Sequence, residues 1–294
     1  MRKTRRFLAI LCLAAPVPAG AQSAAPDAAA GVVAAAREAL GGETKLVAVR
    51  TLVATGRTRQ VRGDNLVPIE FEIAIELPGK YVRKDEIPAQ ESGPTTSGFN
   101  GDELLQFPVP APPPARAGGP PPPTADQLAA AGRMRLATVR QDFARLMLGM
   151  FAGSSSAYPL TFTYVGKAEA PQGKADVLDV KGPAGPGAFA ARLFVNAETH
   201  LPIMISWTAP APMRGGPPPP ASQPPSPPGS SAASAAKPSA PESRLYFADY
   251  REVSGMQLPF RLRRALGADT VEETTFDGFK INARIDPKKF EARQ

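Results

Sequence analysis

The stretch Ile69-Glu70-Phe71-Glu72-Ile73-Ala74-Ile75-Glu76-Leu77 decides the fold class. Its apolar residues at odd positions alternate with Glu70, Glu72, Ala74 and Glu76. A period of two puts successive side chains on opposite faces, so this is an antiparallel strand with one dry face and one wet one. Pro78-Gly79 turns the chain, and Tyr81 to Ile87 returns as a second strand. The same pattern extends outward. Val49 to Val61 reads as a strand on one side, and Ser97 to Phe107 on the other, with Asn100-Gly101 as a turn signal. Further on, Tyr158, Leu160, Phe162 and Tyr164 alternate with polar residues, Val177 to Val180 is short and apolar, and Phe189, Ala191, Leu193 and Val195 alternate again. Ile203, Ile205 and Trp207 follow, then Leu245 to Tyr250, then Met256, Leu258, Phe260 and Leu262, then Thr270 to Ile281, with Pro287 to Phe290 ending the chain.

Two helices interrupt the strands. Asp27 can cap one through Val32, Val33, Ala36 and Leu40, which Gly41-Gly42 stops. Thr124 and Gln127 form a capping-box pattern ahead of Leu128, Ala131, Arg135, Val139, Phe143, Leu146, Met147 and Met150. Steps of three and four residues make this a long amphipathic helix ending near Gly149 or Gly153. The expected class is α+β: a strongly curved antiparallel sheet of about ten or eleven strands, a half β-barrel, with helices covering its concave face.

Composition narrows the chemistry. Among 294 residues there is one cysteine and one histidine, which excludes a Cys/His zinc site, a Cys–His nucleophile pair and an internal disulfide. Of 35 prolines, nine lie between 108 and 123 and twelve between 210 and 241. Such tracts bury too little apolar area to offset chain entropy, so they read as extended loops. Similar strand-rich sequence flanks both, so residues 22–294 are expected to form one domain interrupted by proline-rich loops at 108–123 and 208–243.

The first 21 residues read as a signal peptide. Arg2, Lys3, Arg5 and Arg6 precede an apolar run from Phe7 to Ala15, and Ala19-Gly20-Ala21 supplies a small-x-small exit. Cleavage after Ala21 would remove Cys12 and lower the formal charge from +7 to +3. The apolar run is too short to anchor in a bilayer, so no membrane span is expected in the mature chain. The address is periplasmic or secreted, by the general or, given Arg5-Arg6, the twin-arginine route. Most of the basic balance is thus export signal, and nucleic acid is not an expected partner.

Several turns resemble one known family. Ala39-Leu40-Gly41-Gly42 before a strand and Leu77-Pro78-Gly79-Lys80-Tyr81 between strands are similar to segments of LolA-like proteins, the periplasmic outer-membrane lipoprotein-sorting superfamily. Phe99-Asn100-Gly101-Asp102 resembles its hairpin, and Glu198-Thr199-His200-Leu201-Pro202 its Thr/Pro turn. Phe247-Ala248-Asp249-Tyr250-Arg251, followed by Gly255 and Leu258-Pro259, resembles its late hairpin. The resemblance runs from Ala28 to Phe290. It implies an incomplete β-barrel, helices plugging the open side and an apolar cavity between them.

No catalytic constellation stands out, and neither a cofactor nor a metal is expected. His200 sits in a polar turn. Asp85-Glu86 and Glu272-Glu273 have adjacent members on opposite strand faces and read as solvated edges. Gly182 to Gly187 lacks the Lys-Ser/Thr of a phosphate loop. Arg261, Arg263 and Arg264 read as a wet strand face. What remains is apolar surface. Leu52, Phe71, Ile73, Ile75, Phe162, Tyr164, Ile205, Trp207 and Phe247 are candidates to line a cleft, with Val139, Phe143, Leu146 and Met147 on a lid helix. Such a cleft would bind an acyl chain by burial, at about 0.8 kcal/mol per CH₂; the same residues serve equally as ordinary core. The leading reading is a monomeric, non-enzymatic carrier of an acyl lipid or lipoprotein. An envelope binding or sensor module recognising a protein partner comes second, and a hydrolase third.

Overall fold

The computed structural model describes residues 24–91, 93–110, 121–170, 173–184, 188–208 and 241–292. The expected signal peptide, most of the first proline tract and nearly all of the second lie outside the described residues.

Helices α1 (Ala24–Ala39) and α2 (Glu43–Ala48) lead into five strands: β1 (Thr51–Arg62), β2 (Asn65–Glu76), β3 (Lys80–Glu86), β4 (Thr95–Asn100) and β5 (Glu103–Phe107). Helix α3 (Ala125–Phe151) follows. Seven more strands complete the sheet: β6 (Thr161–Ala170), β7 (Gly173–Lys181), β8 (Ala190–Asn196), β9 (Pro202–Thr208), β10 (Glu242–Val253), β11 (Met256–Leu266) and β12 (Asp269–Ile281). A 3-10 turn at Pro287–Phe290 closes the series.

The strands form one sheet of twelve, in the order β5-β4-β3-β2-β1-β12-β11-β10-β9-β8-β7-β6. Twelve rather than ten or eleven arise because Asn100-Gly101 splits the segment Ser97 to Phe107 into β4 and β5. Every pairing is antiparallel, and the two meanders join where β1 pairs with β12. Among the described residues the sheet does not close: β5 and β6 are its two edges. Helix α3 runs from one edge to the other in sequence and packs on β4 and β5 as well as on β9 and β11. One helix can touch strands near both ends only if the sheet curves around it.

The turn chemistry explains the meanders. Ser254 and Gly255, both at positive φ, turn β10 into β11. In the β8–β9 turn the Asn196 side-chain oxygen accepts the backbone N–H groups of Glu198 and Thr199, leaving His200 exposed at positive φ. Gly41 ends α1 at φ +130°, where a Cβ would stand 2.7 Å from the Gly255 carbonyl oxygen. That approach lets Gln257 donate its backbone N–H to Leu40. Helix α1 begins at Ala24, so Asp27 lies within it rather than capping it. The second proline tract leaves from Thr208 and returns at Glu242, which are paired in register, so it joins neighbouring strands.

Two apolar clusters result. The large one fills the concave side beneath α1 and α3. A smaller one, Ala74, Val82, Leu105, Ile285 and Phe290, lies on the convex side, where the C-terminal segment crosses the sheet. Asn100 donates to the Phe290 carbonyl there.

Candidate functional site

The inward row of each strand changes character along its length. On β1 it begins Leu52 and Ala54, continues through Gly56, and ends Thr58, Gln60 and Arg62. Register carries the change sideways. Leu52 faces Ile75, and Ile75 faces Tyr81. Ile73 faces Arg83, and Phe71 faces Asp85. On the other side Thr58 faces Thr274, Gln60 faces Glu272, and Glu272 faces Arg264. The concave side therefore has an apolar half and a polar half.

The apolar half is solid. Tyr81, Phe99 and Phe143 pack ring to ring, with centroids 5.3 to 5.9 Å apart. All nine residues from Phe143 to Phe151 are buried, so the C-terminal part of α3 is enclosed on every side instead of presenting one stripe. Gly149 lies against Phe247. The buried Tyr250 hydroxyl is 3.0 Å from the Gly149 carbonyl and 2.7 Å from that of Pro202, which ties the helix end to β9 and β10. Burial also pushes the Tyr250 hydroxyl well above its ordinary pKa.

The polar half borders a cavity of about 290 Å³ beneath α3, at the small end of the roughly 300–1,000 Å³ usual for ligand pockets. Ile69, Ile73, Leu146, Leu245, Leu262 and Phe276 give it an apolar wall. Facing them, Arg83 donates to Asp85 at 2.7 Å and to Thr58 at 3.2 Å, and its guanidinium lies 4.6 Å from the Phe71 ring centre. Burial opposes the Arg83 charge, but Asp85, Tyr81 and Glu272 together outweigh it and hold the pKa above its ordinary value. The buried hydroxyls of Thr58 and Thr274 meet at 2.8 Å.

Arg145 stands on α3 at the other end. It is 5% exposed. It donates to Asp142 at 2.8 Å and to Gln141 at 3.2 Å, and its guanidinium stacks 4.0 Å from the Trp207 ring centre. Arg264 reaches the same Asp142 oxygen at 3.6 Å and also lies over Trp207. Burial lowers the Arg145 pKa, and the neighbouring Arg264 charge adds to that against the pull of Asp142.

All thirteen residues singled out from the sequence belong to the large concave cluster. Leu52, Phe71, Ile73, Ile75, Ile205 and Phe247, with Phe143, Leu146 and Met147 from α3, are buried in it; Phe162, Tyr164, Trp207 and Val139 are partly buried against it. Three of them, Ile73, Val139 and Leu146, line the cavity. The charged wall was missed, although a signal for it was present. Arg264 continues the inward phase of Leu258, Phe260 and Leu262, and Arg83 continues that of Tyr81. Reading Arg264 with Arg261 and Arg263 as a wet face overlooked that phase. Asp85 and Glu272 likewise turn inward rather than lying on solvated edges.

The folding pattern has solved counterparts. A LolA superfamily protein from Nitrosomonas europaea superposes with a TM-score of 0.51 at 13% sequence identity, covering 90% of this chain and 97% of that one. The chain has a LolA-like fold. A DUF1329 family protein from Desulfovibrio piger superposes less well, with a TM-score of 0.45 at 8% identity, covering 90% of this chain and 97% of its own. No family model and no curated protein matches the chain. Among the described residues, no helix is long and apolar enough to cross a membrane.

Proposed function

We propose that this LolA-like protein is a non-enzymatic envelope carrier that takes the acyl chain of a lipid or lipoprotein between its concave sheet and α3. The cavity beneath α3 carries this reading, because one of its walls is apolar and its cover is a helix enclosed at one end only. The N-terminal part of α3 holds none of the helix's buried residues. It is held by Arg140, which donates to Asp102 and to the Gly101 carbonyl and lies over the Phe99 ring, by the Arg135–Gln106 hydrogen bond, and by the partly buried Leu136 and Val139. Asp102 is exposed, so its ion pair contributes about 0–1 kcal/mol, and this half is held less firmly than the enclosed end. Binding is favoured over catalysis because two of the three cavity carboxylates, Asp85 and Asp142, are tied to Arg83 and Arg145, and the third, Glu272, accepts from Gln60 and Thr274, rather than standing as a free acid and base. The signal-like N-terminus supports a periplasmic or secreted address. Residues 22–294 then form one monomeric domain with two proline-rich loops.

Native mass spectrometry and lipid extraction of the full chain, purified from the cell envelope, test this reading. A co-purifying acyl lipid is expected, and Val139→Asp, a change at a half-buried cavity position, should remove it without altering the far-ultraviolet circular dichroism. A bare protein mass with no extractable lipid contradicts the carrier and leaves the module that recognises a protein partner.

A further inference from the structure

The charged wall of the cavity points to the ligand's other end. Resting on the carrier reading, we propose that Arg145 and Arg264 hold an anionic head, a phosphate or carboxylate, of the amphiphile whose acyl chain lies along Ile73 and Leu146.

Three observations carry this. First, four guanidinium groups line the cavity, Arg62, Arg83, Arg145 and Arg264, against three carboxylates, Asp85, Asp142 and Glu272. Second, the imbalance is local. Among the described residues Arg83 has Asp85 to itself, whereas Arg145 and Arg264 share one oxygen of Asp142, at 2.8 and 3.6 Å. Glu272, opposite Arg264 in the register, accepts instead from Gln60 and Thr274. Third, the Nε–H groups of Arg145 and Arg264 are buried and have no acceptor among the described residues. A buried donor without a partner is unfavourable by about 1–3 kcal/mol, and more when charged. The Nε and Nη edge of a guanidinium donates to two oxygens of a phosphate or carboxylate side by side, so an anion there relieves the deficit. The Arg264 side chain is 36% exposed, which leaves it able to meet an incoming head. A free anion would leave the apolar wall uncovered, and a neutral lipid would leave the guanidinium groups as they are. An anionic amphiphile answers both.

Trp207 makes the test direct, because it is the sole tryptophan and stacks on Arg145. Its fluorescence is followed while the full chain is titrated with dodecyl phosphate, dodecanoate, dodecanol and inorganic phosphate. The two anionic amphiphiles should bind at least tenfold more tightly than dodecanol and shift the Trp207 emission. Arg264→Gln should bring them to dodecanol's affinity. Asp142→Asn, which removes the internal competitor, should tighten anion binding; a purely structural Asp142 would not do so, and weaker binding overturns the excess-charge argument. Dodecanol binding as tightly as dodecyl phosphate overturns the anionic head and leaves the carrier standing. Inorganic phosphate matching dodecyl phosphate overturns the amphiphile in favour of a small-anion site. If no amphiphile binds, the carrier reading falls as well.

Discussion

The two halves of the concave face are built from the same strands but obey different physics. In the apolar half, around Leu52, Ile75, Phe99 and Phe143, stability comes from area and shape. In the polar half, around Thr58, Arg83, Thr274 and Arg264, each group depends on a specific partner. The first half is closed over by the enclosed end of α3, while the second keeps a cavity. A β-strand can switch character this way because its inward row is set by phase alone; what occupies the row is free to change after Gly56.

Substitutions should separate the halves, beginning with the largest effect. Phe143→Ala removes a ring 1% exposed from the aromatic trio, with an expected loss of about 3–5 kcal/mol in urea denaturation. Gly149→Ala would place a Cβ 2.0 Å from the Phe247 ring, and about 1–3 kcal/mol should be lost as ring and helix move apart. Both values would be small if the apolar half were loosely packed. In the polar half, Thr274→Val leaves the buried Thr58 hydroxyl without that partner, which should cost about 1–2 kcal/mol. The Thr58→Val, Thr274→Val double variant should then lose less than the sum of the single changes, a coupling that pure burial would not produce. Thr124→Ala breaks the capping box of α3, with an expected loss of about 1 kcal/mol or less, seen mainly as faster amide exchange in the first turns. Arg264→Gln removes a buried donor that has no acceptor among the described residues, so it should not destabilise the fold; its effect belongs to ligand binding, and a marked fall in melting temperature would mean that Arg264 is structural.

Much of the fold could be read directly. The alternation in Ile69 to Leu77, the Pro78-Gly79 and Asn100-Gly101 turns and the Thr124–Gln127 capping box each stand where local chemistry required them. The strand count fell short because a two-residue hairpin inside Ser97 to Phe107 leaves the apolar pattern almost unbroken. The short α2 has only Leu46 buried and no periodic stripe to reveal it. The site was harder to read, because charge on a strand ordinarily marks its wet face. Arg83 and Arg264 keep the inward phase of their strands, so phase was the better guide. Arg145 had no such signal: on a helix buried all round, no face is wet, and only its meeting with Asp142, Trp207 and Arg264 makes it tolerable there. That meeting joins residues from α3, β9 and β11, which no local pattern brings together.

The most direct test of the central claim, that the cavity beneath α3 holds an amphiphile with its head at the arginines, is an experimental structure of the full chain with dodecyl phosphate. The account predicts the phosphate at Arg145 and Arg264 and the chain against Ile73, Leu146 and Phe276. Dodecyl phosphate bound elsewhere, with the cavity collapsed or empty, would contradict it.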